Sequence, residues 1–321
     1  MKDHQLKAWL QLVESGSIRG ASRDLRISPA AITKAVRELE ADVDAQLVVR
    51  SSRGIVFTES GRQLTVRARL AQAQLDLARQ DIRMLQGDGR AHVSVSVTPM
   101  VFLGVLPDVV TAFRKALPQA RLTLFDGLVP QALPMLREGS VDFAIAGAIA
   151  TDLEMDIDFE PLDTMEMAVL CRRGHPLREA TTWSEVVDAE WLMHIAPGSQ
   201  HARWLDQLKG QGLRPPERVI EVHSFGTSSA LLTRSDALLV APAELLRSAP
   251  YRDMIERVPL ALALPPLALG LLTPRGLPLS MAAERMAELF RKFVALEKRQ
   301  RVRRATEAQD APPPCKYDRL P

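Results

Sequence analysis

The signatures of catalysis and metal binding are missing from this chain of 321 residues. It has no glycine-rich phosphate loop, no HExxH pair and no GxSxG elbow, so an enzyme reading has no nucleophile to rest on. The six histidines, His4, His92, His175, His194, His201 and His223, show no metal-ligand spacing, and no cofactor is expected. Only two cysteines occur, Cys171 and Cys315, in no metal-spaced pair, which suits a reducing cytoplasm. Cys171 ends an apolar strand with no cysteine nearby, so a buried structural thiol is expected rather than a redox sensor. Met165, Met167 and Met193 are expected as core filler. Long apolar runs are also scarce. The longest, Val258 to Leu272, is broken by Pro259, Pro265, Pro266 and Gly270 and is too short to span a bilayer. Met1 to Gln5 shows no apolar signal region, so a cytoplasmic location is expected.

What is present is an ordinary globular composition, 46% hydrophobic and 25% charged with a net charge of +2. That is enough for a small domain and a larger one with its own core. The charge is uneven: +4 over residues 1–90, −5 over 91–296 and +3 over 297–321. A basic head on an acidic body suits a protein that grips phosphates with one end.

Residues 17–40 have the pattern of two short helices joined by a tight turn. Ser17 caps the first, which runs to about Leu25. Arg26-Ile27 connects, and Ser28 caps the second with Pro29 at its first position, where the missing N–H is harmless. Ala21, Leu25, Ile32, Val36 and Leu39 fall on facing sides, and Leu6, Trp9, Leu10 and Val13 give a supporting helix its apolar face. Ser28, Pro29, Ala30, Thr33, Lys34 and Arg37 are then candidates for a major groove. The strand-like runs Leu47 to Arg50 and Ile55 to Thr58 suggest a wing, with Arg50 and Arg53 reaching a phosphate or a narrow minor groove.

At these residues the chain resembles the LysR-type transcriptional regulators. The likeness rests on an ordered series: Ser15-Gly16-Ser17, Ala21, Leu25, Ser28, Ala31-Ile32-Thr33, Arg37, Leu39-Glu40, Leu47, Arg50, Arg53, Thr58-Glu59 and Gly61. It continues in Leu136 to Ile145 and His175-Pro176-Leu177 and covers nearly all residues to about Val294. Pro29, Asp44 and Val48 depart from the usual glutamine, glycine and phenylalanine. Asp tolerates the left-handed turn, whereas Pro29 removes a possible base contact. The resemblance implies a winged helix-turn-helix, a pairing linker helix and a periplasmic-binding-protein-like body. The segments Asp126 to Pro130 and Leu136 to Ile145 look like the branch that includes regulators of aromatic sulfonate degradation.

From Glu59 to about Gln86 a single helix is expected. Leu64, Ala68, Ala71, Leu75, Ala78, Ile82 and Leu85 alternate at four and three residues, a heptad seam suited to a second helix and therefore to a homodimer or homotetramer. Packing on the chain's own body is the alternative, and the resemblance favours pairing. Gly87-Asp88-Gly89 ends the helix as a hinge.

Beyond His92 strands and helices alternate in an α/β arrangement with a mostly parallel sheet, and a second set from Glu166 returns near Leu267. Two lobes with two crossings leave a cleft, and ligands bind where strands end and helices begin. Thr98, Pro99, Met100, Phe125, Gly147, Ser199, Phe225 and Thr227 occupy such junctions and are the candidate effector site. Its caps suit a small organic anion. The alternative for Thr98, Ser199 and Thr227 is that they only cap helices.

The expected organisation is a winged helix-turn-helix at 1–60, a dimerising linker at 61–88, and an effector domain at 89–296, with lobe I at 91–161 plus 268–296 and lobe II at 162–267. A disordered tail at 297–321 follows, carrying five cations between Lys298 and Arg304. The expected function is a regulator that binds double-stranded promoter DNA under control of a small-molecule effector. An α/β ligand-binding or enzymatic protein with a helical docking module is the alternative.

Overall fold

The computed structural model describes residues 1–51, 54–87, 90–149, 153, 155–196 and 198–309, without the side chains of 50, 51, 54 and 304–309. They form two compact units, residues 1–90 with 134–141 and residues 91–133 with 142 onward.

The first unit begins with α1 (Asp3–Ser15), α2 (Ile18–Leu25) and α3 (Pro29–Val43). The caps are those the residue types dictate. Ser17 Oγ accepts from Gly20 N and Ser28 Oγ from Ala31 N, with Pro29 at the first position of α3. Arg26 and Asp44 close α2 and α3 in the left-handed region, at φ 56° and 49°. Trp9, Leu12, Ala21, Ile32, Val36 and Leu39 form the buried core. β1 (Val48–Ser51) and β2 (Gly54–Phe57) make an antiparallel wing. The Glu40 carboxylate anchors it by accepting from Leu47 N at 2.8 Å and Val48 N at 3.2 Å. α4 (Glu59–Leu85) follows, with Thr58 Oγ1 accepting from Gly61 N. Trp9 Nε1 donates to Thr65 Oγ1 at 3.1 Å, which fastens α4 to the head. Gly61 permits that approach, because a Cβ there would lie 2.4 Å from the Leu47 carbonyl oxygen.

The second unit contains two five-stranded sheets. One is ordered β4 (Arg121–Asp126), β3 (His92–Val97), β5 (Phe143–Ala148), β12 (Leu267–Pro274), β6 (Ile157–Met165). The other is ordered β11 (Ile255–Val258), β7 (Met167–Arg172), β10 (Ala237–Pro242), β8 (Glu190–Met193), β9 (Val219–Glu221). The first carries α5 (Pro99–Leu103), α6 (Leu106–Ala116), α7 (Val129–Arg137) and α11 (Met281–Gln309), and the second α8 (Trp183–Val186), α9 (Gln200–Gly210) and α10 (Phe225–Arg234). A mostly parallel arrangement is corrected here: each sheet has two parallel and two antiparallel pairings. The reversed strand is in each case the one that arrives from the other lobe, β12 in the first sheet and β7 in the second. A chain crossing between lobes enters the new sheet against the direction set by its own β–α units.

Val95, Val97, Phe143 and Ile145 of the first sheet are buried, and Phe143 meets Phe290 of α11 edge-on at 6.0 Å. The second lobe centres on Trp191, whose ring lies 5.5 Å from Trp183 and 5.1 Å from Trp204. Cys171 is fully buried, its thiol pushed up to about 11 by burial and by the nearby Glu256 carboxylate, so it stays protonated and unreactive. Cys315 lies outside the described residues, as do Asp88 and Gly89 of the expected hinge.

Disorder is corrected for residues 297–309, while residues 310–321 of the expected tail lie outside the described residues. α11 continues to Gln309, and its extension is tied down by ion pairs. Arg301 pairs with Asp163 at the end of β6 and, at 3.3 Å, with Glu244 in the 3-10 helix Ala243–Arg247, so one guanidinium joins both lobes. Lys298 approaches Asp163 at 3.5 Å. A tail polar enough to be disordered by itself is held by buried carboxylates that need a cation. Arg301→Ala should therefore lower stability by about 2–3 kcal/mol in urea denaturation, because it strands Glu244, only 18% exposed, and leaves Asp163, 8% exposed, with Lys298 alone. Lys298→Ala, at a half-exposed cation, should change it by less than about 1 kcal/mol.

Candidate functional site

Two surfaces and one cavity carry the candidate residues. On α3 the inner side is closed by Ile32, Ala35, Val36 and Leu39. Ser28, Pro29, Ala30, Lys34 and Arg37 are exposed on the outer side, with Thr33 half-buried at its edge. The Ser28 hydroxyl is engaged as the cap, and Thr33 donates to the Pro29 carbonyl at 3.0 Å, leaving its oxygen and methyl outward. Lys34 rests 3.8 Å from Glu38 in an exposed pair that a phosphate or base could displace. The Arg50 side chain and all of Arg53 lie outside the described residues. Sequence reading did not mark Arg19, Arg23 and Arg26, which are exposed on or just after α2. Their signal was available, since two cations fall within the first helix of the helix-turn-helix and a third caps its end.

The heptad seam of α4 divides into two parts. Ala68 is buried and Leu64 packs with it against the head core, so these two belong to the head and not to a free seam. Ala71 and Ala78 are exposed, as are Leu75 at 47%, Ile82 at 56% and Leu85 at 75%. Three large apolar side chains at heptad spacing on one face stand in water in the single chain.

Between the lobes lies a cavity of about 230 Å³, below the usual 300–1,000 Å³ for drug-sized ligands. Thr98, Pro99, Met100, Gly147, Ser199 and Phe225 line it, as expected for junction residues. Phe125 and Thr227 do not. On β4 it is Asp126 that lines the cavity, because neighbours on a strand point to opposite faces. On α10 the lining comes from Phe225 and Ser228, three residues apart on one helix face, while the Thr227 hydroxyl bonds Ser224 Oγ at 2.9 Å. Ser199 lines the cavity, yet its hydroxyl caps α9 by accepting from Ala202 N at 3.2 Å. Thr98 differs: its side chain makes no cap bond, and its N–H donates to the Ile145 carbonyl.

The lobes meet across the cavity. The Phe102 and Phe225 rings pack edge-on at 5.7 Å, and Gln131 Nε2 lies 2.6 Å from His194 Nε2. Gln131 Oε1 accepts from Leu128 N, which turns the amide nitrogen towards the imidazole as donor. His194 Nδ1 is buried and has no hydrogen-bond partner among the described residues. His201 is satisfied at both nitrogens. Its Nδ1 accepts from His194 N and its Nε2 donates to the Val240 carbonyl, while burial pushes its pKa down to about 4 and keeps it neutral. The starts of α9 and α10 bring further positive potential to this side of the cavity. The histidines escaped sequence reasoning because their spacing in the chain says nothing about this convergence.

A capped three-helix head with a wing, followed by a two-lobed body around a small cavity, is the architecture of a DNA-binding regulator with an effector domain. Residues 4–62 match the bacterial regulatory helix-turn-helix protein, lysR family, and residues 86–295 match the LysR substrate binding domain. The chain belongs to the LysR family of transcriptional regulators. It is 31% identical over 292 residues to the HTH-type transcriptional regulator GalR of Pseudomonas putida, covering 90% of this chain and 73% of that relative. Its fold is similar to that of CbnR, a LysR family transcriptional regulator, with a TM-score of 0.63 and 18% identity over 92% of this chain and 99% of that one. It is likewise similar to full-length CbnR complexed with its target DNA, with a TM-score of 0.60 and 20% identity over 91% and 99% of the two chains. The protein is thus a regulator that binds promoter DNA and has an effector-binding domain for a small molecule, not an enzyme. The docking-module alternative is set aside. No helix among the described residues is long and apolar enough to cross a membrane.

Proposed function

We propose that this regulator reads its operator with the outer face of α3, pairs through the exposed part of α4, and takes a small organic anion into the interlobe cavity. The single observation that carries the effector reading is the cavity itself. It gathers Thr98, His194, Arg203 and the starts of α9 and α10. Effector and operator binding are then linked by a coupling free energy, each altering the affinity for the other. The regulator acts in the cytoplasm, where its DNA is.

For the head, a gel shift with promoter DNA over a range of salt should show binding that weakens as salt rises. Thr33→Ala should relax the preference for operator over random DNA, by about 1–3 kcal/mol at the affected base pair. Arg53→Ala should weaken binding to all sequences and flatten the salt slope by about one unit. Equal losses on operator and random DNA for Thr33→Ala would remove Thr33 from the base-reading set.

For the linker, light scattering of the Leu75→Glu, Ile82→Glu double variant should show monomers, with the circular dichroism of a folded protein and operator binding lost. Like charges brought into an apolar seam oppose association by several kcal/mol, as an order of magnitude. An oligomer of unchanged mass would refute the seam.

For the cavity, Thr98→Val keeps the side-chain shape and deletes a hydroxyl not engaged in capping. Calorimetry against aromatic carboxylates and sulfonates should show affinity lowered by about 1–2 kcal/mol, with effector-free DNA binding intact. Undiminished affinity would exclude Thr98 from the site.

A further inference from the structure

The cavity has charge of opposite sign on its two walls. Its lobe II wall carries the Arg203 guanidinium and the starts of α9 and α10, beside His194 and His223, whose rings meet edge-on at 5.6 Å. Its lobe I wall carries Asp126, the last residue of β4. Several other carboxylates of this unit are matched: Asp142 accepts from Ser94 N, Asp158 pairs with Arg275, Glu160 with Arg291, Asp163 with Arg301 and Asp236 with Arg172. Among the described residues Asp126 has neither an ion pair nor a side-chain hydrogen bond. Partial burial raises its pKa, which is the response of a carboxylate that nothing neutralises.

A ligand bearing acid groups alone would set like charges against each other in a cavity of about 230 Å³, too small to keep an acid group far from either wall. Resting on the reading of this cavity as the site of an anionic effector, we propose that the effector also carries a hydrogen-bond donor, a hydroxyl or an ammonium, which the Asp126 carboxylate accepts while the acid group faces the α9 and α10 starts. The ligand class is therefore a hydroxy acid or an amino acid of about one ring in size. Asp126 sets this choice by repelling any acid that leaves its carboxylate unmatched.

Calorimetry of the full chain with benzoate, 3- and 4-hydroxybenzoate, 4-(aminomethyl)benzoate and benzylamine tests this. A hydroxyl- or ammonium-bearing acid should bind at least tenfold more tightly than benzoate, and the two kinds of donor are told apart by which of them does so. Asp126→Asn should erase that advantage and leave benzoate unchanged or several-fold tighter. The melting temperature should hold, because the carboxylate makes no side-chain bond in the free protein. Equal binding of all the acids to the wild type, or an advantage retained in Asp126→Asn, overturns the proposal and leaves the anion reading standing on the benzoate affinity. Binding of benzylamine alone, or of none of the acids, overturns the anion reading and the proposal together.

Discussion

The effector domain depends on one pairing, that of β6 with β12. It runs antiparallel from Ile157 opposite Pro274 to Met165 opposite Leu267, so the strand that leaves the first lobe and the strand that returns lie side by side. Both crossings are therefore held at one edge of the cavity, and Met165 and Leu267 line it. The register shifts between Leu269 and Gly270. Gly270 is required there, because a Cβ would fall 2.2 Å from the Phe159 ring and 2.7 Å from the Glu160 carbonyl oxygen. Both chain connections between the lobes thus lie side by side at that edge.

Beyond those crossings the lobes are joined by contacts of different strength. The Arg301 bridge to Asp163 and Glu244 places an ion-pair network on mostly buried carboxylates, and it comes from the part of α11 beyond residue 295, where the family match ends. The Phe102–Phe225 contact and the Gln131–His194 hydrogen bond lie at the cavity.

Within the head, the outward face of α3 is rigid for reasons found on its other side. Ile32, Val36 and Leu39 pack on Trp9 and Ala21, and Glu40 ties the end of the helix to the start of the wing through two backbone N–H groups. Pro29 begins this helix without loss of a needed donor. It does present an apolar ring where the resembled family often has an amide.

Helix starts and stops were legible in the sequence because they are local. Ser17, Ser28 and Thr58 cap their helices, and Asp44 takes the left-handed turn, through interactions within about four residues. The heptad period of α4 and the alternation of strands with helices are local too, and with the family likeness they determined the class of protein. What faced what was not local. Phe125 and Asp126, or Thr227 and Ser228, are equal candidates in the sequence, and only packing against the opposite lobe selected Asp126 and Ser228 for the cavity. Leu64 and Ala68 continue the same repeat as Leu75 and Ile82, yet the head core buried the first pair and left the second exposed. The polar tail became helix because Asp163 and Glu244, more than fifty residues away, drew Arg301 to them. Periodicity assigns a residue to a repeat, but its partners are decided by long-range burial and charge matching that no local pattern encodes.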